Sequence, residues 1–407
     1  MFTLLNRVFT SFSPPKAEKK DGAIRFGILG ASKIAPMALI TPATSHSEVI
    51  IQAITARDRS RAEEFAKKHG IPEVKETYED LFSDPNIDAV FIPLPNGLHY
   101  EWSVKAIRAG KHVLVEKPST STSAEAEILF NLPELSLPNA PIILEAFHNR
   151  FHPAVQKFLS FVSSPDVVHV YTDNMVPWWF TKKTDLEYNY QLGGGSIMAL
   201  GTYNFALMRM AFGEEPVECL SCETKIFADG EHDRCDHTFE AQFRFPNGIG
   251  EAKTTLQGPL WWKPSECRVT HREVVVLEKG LEDGLEKVMT RVVTLHGCMH
   301  AVLWHRIDVR DEYRMRVKET GEVVKRWKEE KLHKAYTHRE AGGDQAERQG
   351  EDWWMSYRYQ LEAFVDRVKG RGVPYWVTGE DSTKQMRMVD MAYEKSGLGL
   401  RPTSEFR

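Results

Sequence analysis

Between Ile24 and Glu145, short apolar runs and helical patterns alternate strictly, and this succession limits the fold more than any other feature of the chain. Strand-like runs rich in β-branched residues fall at Ile24–Leu29, Val49–Thr55, Ala89–Ile92, His112–Glu116 and Ile142–Glu145. Helical spacing fills the intervals at Ser60–His69, Tyr78–Phe82, Tyr100–Ala109 and Ala124–Phe130. Ser60 followed by Glu63 reads as a capping box for the first of these helices, and Gly110 as the stop of the third. Such a succession specifies a parallel, doubly wound α/β sheet.

In an open sheet of this kind, ligands bind outside the carboxyl ends of the strands. Two segments 86 residues apart deliver chemistry there. The first is the glycine turn Gly30-Ala31-Ser32-Lys33-Ile34-Ala35, which departs from G-x-G-x-x-G by Ser32 at the second glycine and Ala35 at the third. A methyl group at the third position still permits close helix–strand packing. The serine hydroxyl can donate to a phosphate. The second is Glu116-Lys117-Pro118, a lysine at the mouth of a buried strand that proline prevents from continuing. An unpaired buried ammonium is costly, so such a lysine points to function. Pro95, Asn96 and His99 follow the preceding strand and line the same crevice; His99 either orients a ribose or starts its helix. This is the outline of a dinucleotide-dependent enzyme. After the second strand comes Arg57, with Asp58, Arg59 and Arg61 close by. Arginine there accommodates the 2′-phosphate of NADP, whereas a carboxylate such as Asp58 would take the ribose of NAD. The order of residues favours NADP.

Beyond Glu145 the texture changes. A helix at Pro153–Phe161 precedes strand runs at Val217–Ile226, Thr238–Phe245, Glu251–Leu256, Cys267–Thr270, Val274–Leu277 and Arg306–Arg310. Strands in series suggest an α+β domain with a large, mostly antiparallel sheet. Residues 311–350 are charged and read as solvent-exposed strands and loop, followed by helices at Tyr357–Val368 and Asp381–Lys395. The expected division is a flexible leader at 1–22, a dinucleotide-binding domain at 23–146 and a substrate and oligomerisation domain at 147–407. With no acid before Glu18, the leader also allows a mitochondrial presequence, but Arg7 interrupts its apolar run too early for a signal peptide.

Length and composition agree. The 407 residues exceed one ordinary core, and 42% hydrophobic with 27% charged residues is ordinary for a globular protein. A net charge of −5 gives no basic field for nucleic acid or an anionic membrane. No apolar stretch approaches the roughly 20 residues needed to span a bilayer. Five cysteines with irregular spacing suit a reducing compartment, and a cytoplasmic location is expected. Cys219, Cys222, Cys235 and His237 have a superficial zinc look, but Cys219 and Cys222 fall on strand-like sequence, where their side chains would face opposite ways. No metal is expected.

The glycine turn, Pro95-Asn96-x-x-His99, the run Ala109–Pro118 and Glu145-Ala146-Phe147 together resemble the glucose–fructose oxidoreductase/inositol dehydrogenase (GFO/IDH/MocA) family. Glu145-Ala146-Phe147-His148-Asn149-Arg150 is similar to the branch of dimeric dihydrodiol dehydrogenases and fungal NADP-dependent D-xylose 1-dehydrogenases. The resemblance implies an N-terminal Rossmann domain and a homodimer built through the C-terminal sheet. A second family motif, Gly193-Gly194-Gly195-Ser196 leading to Tyr203, supplies a tyrosine; Ala199 stands where the family usually has aspartate. The implied catalytic pair is Lys117 and Tyr203, with Arg150, His152, Trp178 and Ala199 at the substrate. Tyr203 would remove a hydroxyl proton while Lys117 lowers its pKa. Acting near neutrality requires depressing a phenol from about 10 to about 7, roughly 4 kcal/mol, and an ammonium within ~4–6 Å supplies much of this. The expected reaction is hydride transfer between NADP and an alcohol, an aldose such as D-xylose at C1. The alternatives are trans-dihydrodiol oxidation or an NADP-binding regulator without turnover. Pro177-Trp178-Trp179-Phe180 and Trp261-Trp262 either wall a ring or form core or dimer interface.

Overall fold

The computed structural model describes residues 2–406 and contains two sheets. The first comprises β1 (Ile24–Leu29), β2 (Val49–Thr55), β3 (Glu73–Val74), β4 (Ala89–Ile92), β5 (His112–Glu116) and β6 (Ile143–Ala146). All pairings in it are parallel, and the order is β3-β2-β1-β4-β5-β6, the doubly wound dinucleotide-binding arrangement. Its central strands are largely apolar because both faces are covered. Phe26, Ile28, Phe91 and Leu114 pack on one side, while Leu29, Val90, Ile92, Val113 and Val115 pack on the other. The expected strands match those observed except the last, which sits one residue later.

Helix starts differ more. The helix expected from Ser60 runs Arg59–His69, and its cap is Asp58, whose carboxylate accepts from Arg61 N at 3.2 Å. An anionic cap complements the helix N-terminus, and Glu63 pairs instead with Arg59 at 2.8 Å. The helix expected from Tyr100 begins at Asn96, directly after Pro95.

The second sheet comprises β7 (Val167–Pro177), β8 (Glu218–Ile226), β9 (Asp236–Phe245), β10 (Gly248–Gly258), β11 (Glu266–His271), β12 (Val274–Val276), β13 (Leu285–His296), β14 (Arg306–Val317) and β15 (Val323–His333). Its order is β15-β14-β13-β11-β7-β10-β9-β8, with β12 beside β13, and every pairing but β7–β10 is antiparallel. One face is apolar and packs on the helices Pro153–Leu159, Thr202–Phe212 and Gly379–Ser396. Cys219 and Cys222 both turn to this buried face, contrary to expectation, because a bulge between Cys219 and Ser221 shifts the register by one residue.

Two long-range features cross the expected boundaries. Helix Ser356–Val368 returns to the first sheet, with Phe364 5.6 Å from Phe26. The residues expected as a flexible leader include a helix, Phe2–Phe12; Arg7 donates to Val302 O at 3.1 Å, and Lys19 to Ala43 O at 2.7 Å. No helix among the described residues is long and apolar enough to cross a membrane.

Candidate active site

At the carboxyl end of β1 the chain turns at Gly30, whose φ of +93° favours glycine. A side chain there would also meet Leu94 at 3.0 Å. Gly30 N donates to Thr55 O at 2.6 Å, fixing the turn to the end of β2. Ser32 Oγ accepts from Ile34 N at 3.4 Å, and Lys33 reaches out to Asp185 at 3.6 Å. The backbone N–H groups of Ala31 and Lys33 have no hydrogen-bond partner among the described residues. Such a turn suits the phosphates of a dinucleotide. Arg57 stands exposed just beyond β2, without a side-chain partner among the described residues, whereas Asp58 is committed to its helix cap. Asn96 Nδ2 donates to Gly193 O at 3.0 Å, tying the crevice to the triple-glycine segment.

The reactive end lies beyond β5. Lys117 Nζ donates to Ala199 O at 2.6 Å and stands 4.6 Å from the centre of the Tyr203 ring. Burial lowers the Lys117 pKa, opposed by the nearby Glu116, Glu187 and Glu145 carboxylates. Glu116 and Glu145, near the ends of adjacent strands, are each pushed up to about 7 by burial. Tyr203 is buried against Phe147, with its Oη 2.9 Å from His148 Nε2. On the far side of the imidazole, Nδ1 is 2.7 Å from Ser356 Oγ, and the ring stacks on Tyr357 at 3.9 Å. Burial raises the Tyr203 pKa well above the usual phenol value, and Glu116 and Cys298 add to it. The expected depression by Lys117 is therefore corrected: the ammonium lies over the ring face and bonds a carbonyl, while the hydroxyl meets an imidazole.

Residues 24–134 match the oxidoreductase family with an NAD-binding Rossmann fold, and residues 166–258 match the GFO/IDH/MocA C-terminal domain. The chain belongs to the GFO/IDH/MocA family. Among its relatives, the D-xylose 1-dehydrogenase (NADP(+)) 2 of Haloferax volcanii is 38% identical over 46% of this chain and 57% of its own length. The trans-1,2-dihydrobenzene-1,2-diol dehydrogenase of Sus scrofa is 29% identical over 56% of this chain and 66% of its own. This chain thus spans less than two thirds of the length of these relatives. The fold is similar to the 3-ketoreductase KijD10 of Actinomadura kijaniata in complex with NADP and TDP-benzene, with a TM-score of 0.66 at 19% identity over 92% of this chain and 98% of that one.

Several residues expected near the ligands make contacts within the protein. His99 is fully buried in the first turn of its helix, and its two ring nitrogens face Pro118 O and Leu94 O, each at 2.7 Å. It braces the Lys117 loop and has no nitrogen left for a ribose. Arg150 is buried, donates to Tyr375 Oη at 2.5 Å and pairs with Asp381, which also holds Arg209 at 2.8 Å. His152 caps the following helix, its Nδ1 accepting from Ala154 N at 3.1 Å. Arg150 is thus held within the fold, while His152 Nε2 is buried without a hydrogen-bond partner among the described residues. Trp178 lies just beyond β7, 55% exposed. Ala199 packs against a small cluster of Val176, Tyr188, Leu200 and Leu256, whereas Tyr203 belongs to the larger core around Phe147. The two positions share Lys117 rather than one apolar face, because a π turn, Ile197–Gly201, precedes the α-helix. His148 and Ser356 escaped the sequence reading; they are 208 residues apart and meet only through tertiary packing.

Proposed function

We propose that this chain is an NADP-dependent oxidoreductase acting on an alcohol or hemiacetal carbon, with an aldose such as D-xylose at C1 as the substrate. The observation that carries this reading is the convergence of Lys117 and Tyr203 at the strand ends, 4.6 Å from ammonium to ring centre. The bound nicotinamide supplies the acceptor or donor of hydride. The turn at 30–34, Arg57, Asn96 and the backbone near Glu116 are the groups suited to hold the cofactor. Arg57 supports NADP over NAD, since Asp58 is occupied as a cap. An ammonium has three donors, and Ala199 O takes one from Lys117, leaving two to polarise a substrate oxygen. Tyr203 Oη then holds and moves the hydroxyl proton. Aldose relatives and this pair of residues together support an enzyme rather than a nucleotide-binding regulator.

The test is a panel of aldoses, polyols and trans-dihydrodiols with NADP and with NAD, followed by nicotinamide absorbance. NADP reduction by an aldose is expected. Nucleotide binding without turnover on any member would sink the reading, and turnover confined to trans-dihydrodiols would replace its substrate. Two copies joined through the C-terminal sheet belong to the same proposal. It is supported by the exposed Trp178, Trp179, Phe180, Trp261 and Trp262 around the ends of β7 and β10.

A further inference from the structure

We infer that His148 is the positioning residue that takes the proton passed on by Tyr203, and that Ser356 sets its tautomer. The inference rests on the oxidoreductase reading above. Neutral imidazole carries one N–H and one acceptor nitrogen. With Tyr203 O–H donating to Nε2 at 2.9 Å, Nδ1–H donates to Ser356 Oγ at 2.7 Å. The ring is held in this plane by Tyr357, stacked at 3.9 Å. Tyr203 then keeps its oxygen lone pairs for a substrate hydroxyl and never needs to exist as a free phenolate. That removes the difficulty posed by its burial.

In the oxidative direction the balance is complete. The substrate C–H bond breaks with its electron pair, and the hydride goes to oxidised nicotinamide. The substrate O–H proton moves to Tyr203 Oη, the proton already on Oη moves to His148 Nε2, and the carbon–oxygen bond becomes a carbonyl. The imidazolium so formed keeps its Nδ1–H bond to Ser356. Its positive charge replaces the one removed from the cofactor by the hydride, so the charge of the pocket is unchanged. His148 is neutral at rest because it is buried and faces His300, Lys117 and His152, all of which oppose protonation. Glu116, Cys298, Tyr357 and Tyr203 complete the titratable groups of this core.

Nitrogen-15 NMR of the unliganded wild-type protein reads the tautomer directly. His148 is expected neutral near pH 7, with its proton on Nδ1; a proton on Nε2 would overturn the assignment. In kinetics, kcat should fall on an acid limb lying below pH 6.5 as His148 protonates. His148→Gln should lower kcat by about 100-fold or more, remove that limb and leave KM and NADP affinity within about threefold. Ser356→Ala should lower kcat by roughly tenfold and move the limb to lower pH, because the imidazolium loses its acceptor. A His148→Gln protein with kcat within threefold of wild type would overturn the proposal, as would a Ser356→Ala protein with an unchanged profile. If His148→Gln does not fold, Ser356→Ala and the tautomer decide. Absence of turnover in the wild-type protein would count against the oxidoreductase reading, and the NMR result would still judge the hydrogen-bond assignment.

Discussion

Lys117 and Arg57 are both cations at strand ends, and burial separates their tasks. Lys117 is partly buried beside Tyr203, so its charge acts at short range in a site less screened than the surface. Replacing it with alanine should lower kcat by about 10²–10³-fold while nucleotide affinity stays within about fivefold. Near-wild-type turnover in the purified variant would exclude it as the catalytic cation. Arg57, proposed above to meet the 2′-phosphate, is exposed and without a side-chain partner among the described residues. A hydrogen bond to a charged group contributes about 1.5–3 kcal/mol, so Arg57→Ala should weaken NADP roughly 10–100-fold and leave NAD nearly unchanged. Calorimetric titration with both nucleotides checks this, and equal losses would remove Arg57 from the role. Both residues were legible because their positions follow from strand ends alone. For His99 the structure places the ring in the first turn of its helix, one of the two readings the sequence left open. The burial of Arg150 and His152 was not legible because residue type does not reveal whether a polar side chain turns toward a crevice or into the core.

At the scale of elements, the triple-glycine segment is held by more than turn preference. Gly195 has φ +131°, and a side chain there would run into Asp236 and Tyr393. Asp236 accepts from Ser196 Oγ at 2.5 Å, Ile197 N at 2.8 Å and Tyr393 Oη at 3.1 Å, so it anchors the start of the helical segment that carries Tyr203. Gly195→Ala should destabilise the fold by about 2–5 kcal/mol, combining backbone strain with disrupted buried hydrogen bonds. Gly22, with φ +71° and open space within 4 Å of where a methyl group would stand, isolates the strain alone. Gly22→Ala should cost about 1 kcal/mol. Urea unfolding of both variants makes the comparison, and equal losses would show that the Asp236 cluster has no special weight. The glycines and the following helix are plain in the sequence. The π turn is not, because it depends on how Ala199 and Tyr203 are each drawn to a different core.

Across the whole molecule, buried titratable groups set the pH dependence of stability. His99, His305 and His338 are lowered to about 4, His46 to about 2, and His148 and His152 well below 6.5, all chiefly by burial. Their stabilising contribution is present above the unfolded pKa of about 6.5 and is lost as pH falls through the folded values. Glu116 and Glu145 have the opposite sign: raised to about 7, they contribute most below about 4.5, and that contribution is lost as pH rises through about 7. Between about pH 4.5 and 6.5, six histidines outweigh two glutamates, so stability should fall on acidification across this window. Thermal melts at pH 6.5 and 4.5 test the direction; an equal or higher Tm at pH 4.5 would contradict it. For the proposed dimer, light scattering should give twice the chain mass, and Trp261→Ser with Trp262→Ser should reduce it. A monomeric wild-type protein would exclude it.

The first sheet is legible in the chain alone, because parallel strands covered on both faces are largely apolar runs with helices between them, and such a pattern has almost one solution. So are the positions of Gly30, Arg57 and Lys117, since strand ends are local features. The second sheet was only half legible. In β15 most side chains are exposed and charged, so its strand nature comes from pairing with β14 rather than from an apolar pattern. Which polar residues are buried, and what they meet there, is set by packing between distant segments: His99 on two carbonyls, Arg150 on Asp381, and Tyr203 on His148 backed by Ser356. Those partners lie up to 231 residues apart. Burial and long-range contact, not spacing along the chain, fix what each group can do.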